Sequence, residues 1–333
     1  MTPTPLVSVV IPTCNRREAL ARCLESIVAQ TYCKFEILVV DDCSCDGTPG
    51  FLTNFAAAHE NVAFRSERND RNCGANASRN RAIRAAQGEF VAFLDSDCVA
   101  QPDWLEKLVG AFESERVAAV TGRVTMPPPS NIYELTLKGT SCVHGAGAAP
   151  RLVAGNMCIR RSLLLQHPLD EDLKYGCDEE GIYLRLKAAG FQQVVVPDAI
   201  VRHEHFFDRR SFLRQAFRGG GAAAWLVYKY HLPTRLDLLP FIMAYLTLSL
   251  ALIDARLLAV PACFFLLAFA AVIYNELCRK GKTLMETVCC LPMLFIYYHL
   301  RLAGYVSKAI QLRFSRHGLK RVRLSQEPNR TSE

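Results

Sequence analysis

The stretch FVAFLDSDCVA, residues 90–100, decides the reading of this chain. Phe90–Leu94 is an unbroken apolar run, the pattern of a strand buried on both faces. It stops abruptly at Asp95-Ser96-Asp97. Side chains two apart on an extended chain point the same way, so these two carboxylates address one space. Like charges this close are unfavourable unless something positive joins them. A hard divalent cation takes carboxylate oxygen together with phosphate oxygens, which makes the pair a candidate metal–diphosphate site. The competing reading is a polar turn with Asp95 closing the strand, and three residues alone do not separate the two.

Working outward, strand-like and helix-like segments alternate. Val7–Ile11 is a short β-branched run, and Asn15 with Glu18 reads as the capping box of a helix whose face carries Leu20, Cys23, Leu24, Ile27 and Val28. Phe35–Val40 is a second buried strand that also ends in acids, Asp41-Asp42. A helix over 48–58, a strand over 61–66 and a helix over 76–86 lead into the opening strand, and Pro102-Asp103-Trp104 starts another helix after it. Val117–Val124 and Val153–Ile159 are strand-like, Glu179–Ala189 is helical, and Val194–Val196 is a short strand. Residues 126–150, with MPPPS and HGAGAAP, read as a loop. Asp208 reads as the cap of a long helix interrupted at Gly219-Gly220-Gly221. This alternation predicts βαβ units and a mostly parallel sheet, whose ligands bind beyond the carboxyl ends of the strands. The two acidic pairs sit there.

Composition sets the limits. The 333 residues are half apolar and carry a net charge of +7. Apolar residues concentrate between about 236 and 305, after an ordinary soluble sequence. Basic residues cluster over Arg65–Arg84, Arg202–Arg218 and Arg313–Arg323. Because these clusters flank the candidate site and the apolar region, phosphate substrates and anionic lipid head groups fit them better than nucleic acid. The start MTPTPL lacks the features of a secretory signal, so the first domain is expected in the cytosol. The 14 cysteines include no CxxC pair and read as reduced filler.

Six stretches occur in order: VSVVIPTCNR, EILVVDDCSCDGT, RNCGANASRNRAIRAAQGEFVAFLDSDC, AGNMCIRR, DEEGIYLRLKAAGF and PDAIVRHEH. Together, over about residues 6–225, they resemble the family 2 glycosyltransferases. The resemblance implies an α/β fold with a GT-A type, mostly parallel, Rossmann-like sheet flanked by helices. It implies an inverting transfer from a nucleotide-diphosphate sugar to a hydroxyl acceptor, with Mn2+ or Mg2+ as cofactor. Residue by residue, it places Pro12 and Thr13 on the nucleotide pocket and Asp42, or its neighbour Asp41, at the base edge. Arg79 would approach the diphosphate or pin its loop, Asp95 would contact the ribose, and Asp97 would bind the metal. His203 would add to the metal or diphosphate end, with His205 the weaker candidate. Asn156 would lie on the acceptor side. The catalytic base would come from Asp178 or Glu179; counting back from Arg185 favours Glu179. Acids at a helix start also complement its dipole, which is the plainer account of the same residues.

The tail decides the setting. Leu238–Ile253 and Leu257–Tyr274 carry no formal charge, and each is marginally long enough to cross a bilayer. Leu284–Tyr305 contains Glu286, His299, Arg301 and Pro292 and reads as an interfacial helix. The expected organisation is a glycosyltransferase domain over 1–230, a transmembrane hairpin with an interfacial helix over 231–305, and a basic cytosolic tail over 306–333. Expected partners are the donor, a glycan or lipid-linked acceptor, and membrane lipids. The expected location is the cytosolic face of the cytoplasmic membrane. A processive polysaccharide synthase is the rival enzyme, but Gln215-Ala-Phe-Arg218 is followed by Gly219 where such synthases carry Trp. A non-catalytic nucleotide-binding tether is the rival of another class, and it has no use for acids near residue 178.

Overall fold

A computed structural model describes residues 4–138, 152–173, 179–204, 207–232, 239–248, 254 and 258–314. Strand β1 (Val7–Thr13) is the hub of its sheet, paired in parallel with β2 (Phe35–Asp41) on one side and β4 (Phe90–Leu94) on the other. Strand β3 (Ala63–Arg68) extends the sheet beyond β2. The full order is β3-β2-β1-β4-β7-β6-β8-β5, with β5 Cys98–Ala100, β6 Val117–Thr125, β7 Asn156–Arg160 and β8 Gln192–His203. Strand β7 runs antiparallel to both β4 and β6, while β6 and β8 are parallel. The result is the mixed, mostly parallel sheet that the alternation of segments predicts, of the GT-A-like kind that the resemblance implies.

Strand alternation sends side chains to two faces, and each face is covered by helices. Val7, Val9, Ile11, Ile37 and Val39 pack with α1 (Arg17–Val28), α2 (Thr48–Ala58) and α4 (Trp104–Gly110). Val10, Leu38, Val40, Val91 and Phe93 pack with α3 (Ala75–Ala85), α6 (Arg161–Gln166) and α7 (Glu180–Ala188). The chain leaves β1 for β2 and β3, then returns to the opposite side of β1 as β4. The carboxyl ends of β1 and β4 therefore flank the point where the winding reverses, where such sheets bind ligands.

Several details differ from the sequence reading. Asn15 does not cap α1: its backbone has φ 53°, and its side-chain carbonyl accepts the Cys45 amide at 2.8 Å, tying two loops together. Strand β8 runs twelve residues, past Pro197, because it pairs with β6 first and with β5 later. Strand β5 itself lies inside the opening stretch, hidden by the acids before it.

The described residues fall into two units: 4–127, 152–173 and 179–204 carry the sheet, and 128–138 with 207–314 form a helical unit. In the second unit Asn131 caps a short helix, α5 (Ile132–Leu137), within the stretch expected to be loop. Asp208 forms a capping box with Ser211 at the start of α8 (Arg209–Tyr230), as expected. The three glycines do not interrupt α8. A Cβ on Gly220 would stand 1.8 Å from the Arg301 carbonyl oxygen, and one on Gly304 2.0 Å from that of Phe217. Glycine is there for close helix packing against α11 (Leu284–Phe314), not to break the helix.

Helix α9 (Leu239–Leu248) covers part of the first apolar run, and α10 (Ala259–Tyr274) continues through a π-helical turn, Asn275–Arg279. Ala259–Cys278 and Leu284–Phe314 are long and apolar enough to cross a membrane. The third segment is thus one 31-residue helix through Pro292, nine residues longer than read. At the turn between α10 and α11, Glu276 is fully buried and bonds Lys280 and Lys282, each at 2.6 Å.

Candidate active site

The loops after β1, β2 and β4 meet at one edge of the sheet. Asp41 is buried; it accepts the Ser44 amide at 2.9 Å and pairs with Arg68 at 3.0 Å. Asp42 accepts Asn69 Nδ2 and the Cys73 and Gly74 amides, each at 2.8 Å. Asp42 thereby clamps the 69–74 loop that enters α3, while Asp41 holds the turn at Ser44 and the end of β3. Pro12 and Thr13, the last residues of β1, are buried beside them, and the Thr13 hydroxyl has no hydrogen-bond partner among the described residues. A buried hydroxyl left over is a polar handle pointing to a ligand, since such groups are ordinarily satisfied.

Asp95 and Asp97 follow β4, and their surroundings separate them. The buried Arg79 of α3 donates to Asp95 Oδ1 at 2.7 Å and to Asn76 at 3.3 Å, so it fixes the loop. The turn at Gly155 passes close over the same carboxylate, where a Cβ would stand 2.8 Å from Asp95 Oδ2. Asp97 is buried, and its Oδ2 meets Arg16 Nη1 and, at 3.2 Å, His203 Nε2. His203 closes β8 directly opposite Cys98 of β5, so sheet register delivers it to Asp97. Burial alone would lower the His203 pKa; the hydrogen bond and charge of Asp97 outweigh it and raise the value.

The donor atoms of Asp97, Cys98 and His203 lie within 4.8 Å of one another, a spacing that fits a cation. Burial, with the charges of Asp95 and Asp97, pushes the Cys98 thiol well up, and its soft sulfur is ill matched to a hard ion. Carboxylate oxygen and imidazole nitrogen remain, a donor set for Mn2+ ahead of Mg2+.

The remaining expectations land as follows. Asn156 is completely buried: its amide nitrogen donates to the Arg123 and Ala199 carbonyls at 3.0 Å, and its oxygen accepts Trp104 Nε1 at 2.8 Å. It ties β7 to β6 and β8 beneath the site. Glu179 stands at the N-cap position of α7, half-buried. Asp178 and His205 lie outside the described residues. Arg185 pairs with Asp170 at 3.1 Å and donates to the Pro168 carbonyl at 2.7 Å, which anchors α7. The sequence reading missed Arg16. Its only signal was its place at the end of VSVVIPTCNR, in the loop beside the switch point.

A family model described as glycosyl transferase family 2 matches residues 8–139, and one described as glycosyl transferase family group 2 matches residues 90–278. Glycosyltransferase AglE of Haloferax volcanii is 39% identical over 128 residues, 38% of this chain and 41% of the relative. The pre-mycofactocin glycosyltransferase of Mycobacterium tuberculosis is 30% identical over 229 residues, 65% of this chain and 47% of the relative. The chain spans less than half the length of these curated relatives. Among solved structures, the mannosyltransferase PcManGT from Pyrobaculum calidifontis, in complex with GDP-Man and Mn2+, superposes with a TM-score of 0.60 at 22% identity. That superposition covers 95% of this chain and 89% of the other. GalNAc-T7 with UDP, GalNAc and Mn2+ gives 0.53 at 16% identity, covering 71% and 53%. These likenesses carry the fold, and the family models, which together run from residue 8 to residue 278, carry the membership: the chain belongs to glycosyltransferase family 2.

Proposed function

We propose that this chain is an inverting glycosyltransferase. It moves a sugar from a nucleotide-diphosphate sugar to a hydroxyl acceptor, a glycan or a lipid-linked saccharide, at the cytosolic face of the membrane. One observation carries the reading: Asp97 and His203 converge at the strand edge where the winding reverses, while Arg79 holds the neighbouring Asp95 rigid. The superposed structures in complex with GDP-Man and Mn2+ and with UDP, GalNAc and Mn2+ support the same chemistry.

In this mechanism Pro12, Thr13 and the Asp41–Asp42 corner shape the nucleotide pocket, and Asp95 addresses the ribose. Asp97 and His203 would hold the cation, which when bound would offset charge growing on the leaving diphosphate. Glu179 or Asp178 takes the proton of the acceptor hydroxyl as its oxygen attacks the anomeric carbon. The apolar surface of α10, with Leu266, Leu267 and Phe269 exposed, supports a membrane setting.

The test is turnover of a panel of nucleotide sugars by the purified full chain with Mn2+, for wild type and Asp97→Asn. Asparagine keeps the shape and loses the charge. Transfer should fall by about 10³-fold, the scale seen when a stabiliser of transition-state charge is removed, with the thermal midpoint nearly unchanged. Wild-type turnover in the variant at saturating Mn2+ overturns the site.

A further inference from the structure

The Arg16–Asp97 contact joins two loops that only the topology brings together. Arg16 follows β1 and Asp97 follows β4, on neighbouring strands at the switch point. Arg16 Nη1 and His203 Nε2 share a single oxygen, Asp97 Oδ2. A cation held by the Asp97 carboxylate would stand beside the Arg16 guanidinium, like charge against like charge, and the two would compete for the same negative charge. His203 is a strand residue held by its pairing with Cys98, and its side chain is 21% exposed. The Arg16 side chain is 39% exposed and hangs from a loop. The backbone on both sides of it is fixed: Asn15 binds Ser44 and Cys45, and the Arg17 amide donates to Asp46 at 3.0 Å. The guanidinium can therefore swing while its anchor stays put.

We propose that Arg16 is an electrostatic latch on the cation site, and that its release couples cation binding to donor binding. This rests on the reading of Asp97 as a metal ligand. With the site latched, Arg16 already offsets the Asp97 charge that would attract the cation, so the cation binds less tightly. Once displaced, the guanidinium remains at the mouth of the switch point, where a diphosphate offers it planar, doubly bonded recognition. The nucleotide then draws Arg16 off Asp97 and the cation repels it toward the nucleotide, so each raises the affinity for the other. Arg16 thus competes for Asp97 before the donor arrives and contacts the diphosphate afterwards.

The experiment is a Mn2+ titration of the full chain followed by electron paramagnetic resonance of the free ion, with and without UDP or GDP. It needs no turnover. Arg16→Met should bind Mn2+ alone more tightly than wild type, by a factor within about 5–150, the usual range of coupling between sites. The extra Mn2+ affinity that nucleotide confers on wild type should shrink in the variant by a similar factor. Arg16→Lys, which keeps the charge without the planar fork, should fall between the two. A residue of purely structural importance would weaken Mn2+ binding when replaced, the opposite sign. Equal Mn2+ affinity in wild type and both variants, or an undiminished nucleotide effect in Arg16→Met, overturns the latch and leaves the metal site standing. Absence of Mn2+ binding in all three proteins, with or without nucleotide, overturns the metal site and the latch together.

Discussion

At the scale of single residues, the two acids of the opening stretch have different neighbours and hence different work. Asp95 is committed to the buried Arg79, whereas Asp97 faces a histidine and an exposed arginine. The sequence makes the pair legible only through its context, the ordered set of stretches around it, because two acids after a buried strand read equally as a polar turn. It cannot reveal that Arg16, 81 positions away, lies on Asp97, because no local pattern encodes which strand β1 will neighbour. Asn156 is another case: the sequence offers it as an acceptor-side residue, and the fold shows its amide also bridging β6, β8 and Trp104 of α4. The base assignment is open to direct test. Glu179 and Glu180 are adjacent at the start of α7, so replacing either removes the same dipole-complementing charge. Glu179→Gln should abolish transfer with nucleotide affinity retained, while Glu180→Gln should keep transfer near wild type. Calorimetric nucleotide binding alongside turnover separates the cases, and equal loss in both variants would point to a helix-start effect instead of proton transfer.

At the scale of elements, buried β-branched strands and amphipathic helices were readable because burial imposes the periodicity. Elements set by tertiary partners were not: β5 is three residues long, α5 is six, and both exist for the strand or unit they join. The glycines of α8 were misread because propensity argues for a break; the neighbouring helix explains Gly220, and nothing in the structure requires Gly219. That gives a paired prediction. Gly219 faces open space, so Gly219→Ala should stabilise α8 by about 1 kcal/mol through helix propensity. Gly220→Ala drives a Cβ into the Arg301 carbonyl and should destabilise by about 1–3 kcal/mol or more, as overpacking does. Thermal midpoints moving in opposite directions would establish the close packing.

A second prediction at this scale concerns Glu36, on β2. Burial would raise its pKa, but the Ser8 hydroxyl, the Gln87 amide and Arg65 outweigh that and hold it below its usual 4.5. A depressed carboxylate contributes stability that is fully present above its unfolded pKa and lost as pH falls through the folded one. Stability of wild type should therefore decline below about pH 4.5, and Glu36→Gln should flatten that part of the profile. Chemical denaturation across pH 3–6 reads the difference, and parallel profiles would remove Glu36 from the acid response.

At the scale of the molecule, the question is which helices enter the bilayer and which lie on it. Length and composition admit both Ala259–Cys278 and Leu284–Phe314. Charge argues for a different division. Lys280 and Lys282 follow α10, and further basic residues follow α11, and short basic flanks stay in the cytosol. If α10 and α11 were the two crossings, the basic turn between them would lie outside. If the runs Leu238–Ile253 and Leu257–Tyr274 cross instead, both basic flanks remain inside with the catalytic domain. The long α11 supports this second arrangement. Its exposed apolar residues, Leu284, Val288, Phe295, Val306, Ile310 and Phe314, recur at helical spacing, while His299, Arg301 and Lys308 interrupt the surface. A helix with one apolar face and scattered charge settles in the interfacial plane. We therefore predict two crossings before residue 275, α11 on the cytosolic surface, and the segment after it inside. A protease-cleavable reporter fused beyond residue 333, probed in intact cells and in inverted membrane vesicles, decides the matter. Cleavage only in inverted vesicles is the expected result. Cleavage in intact cells would require an odd number of crossings and would make Leu284–Phe314 a span.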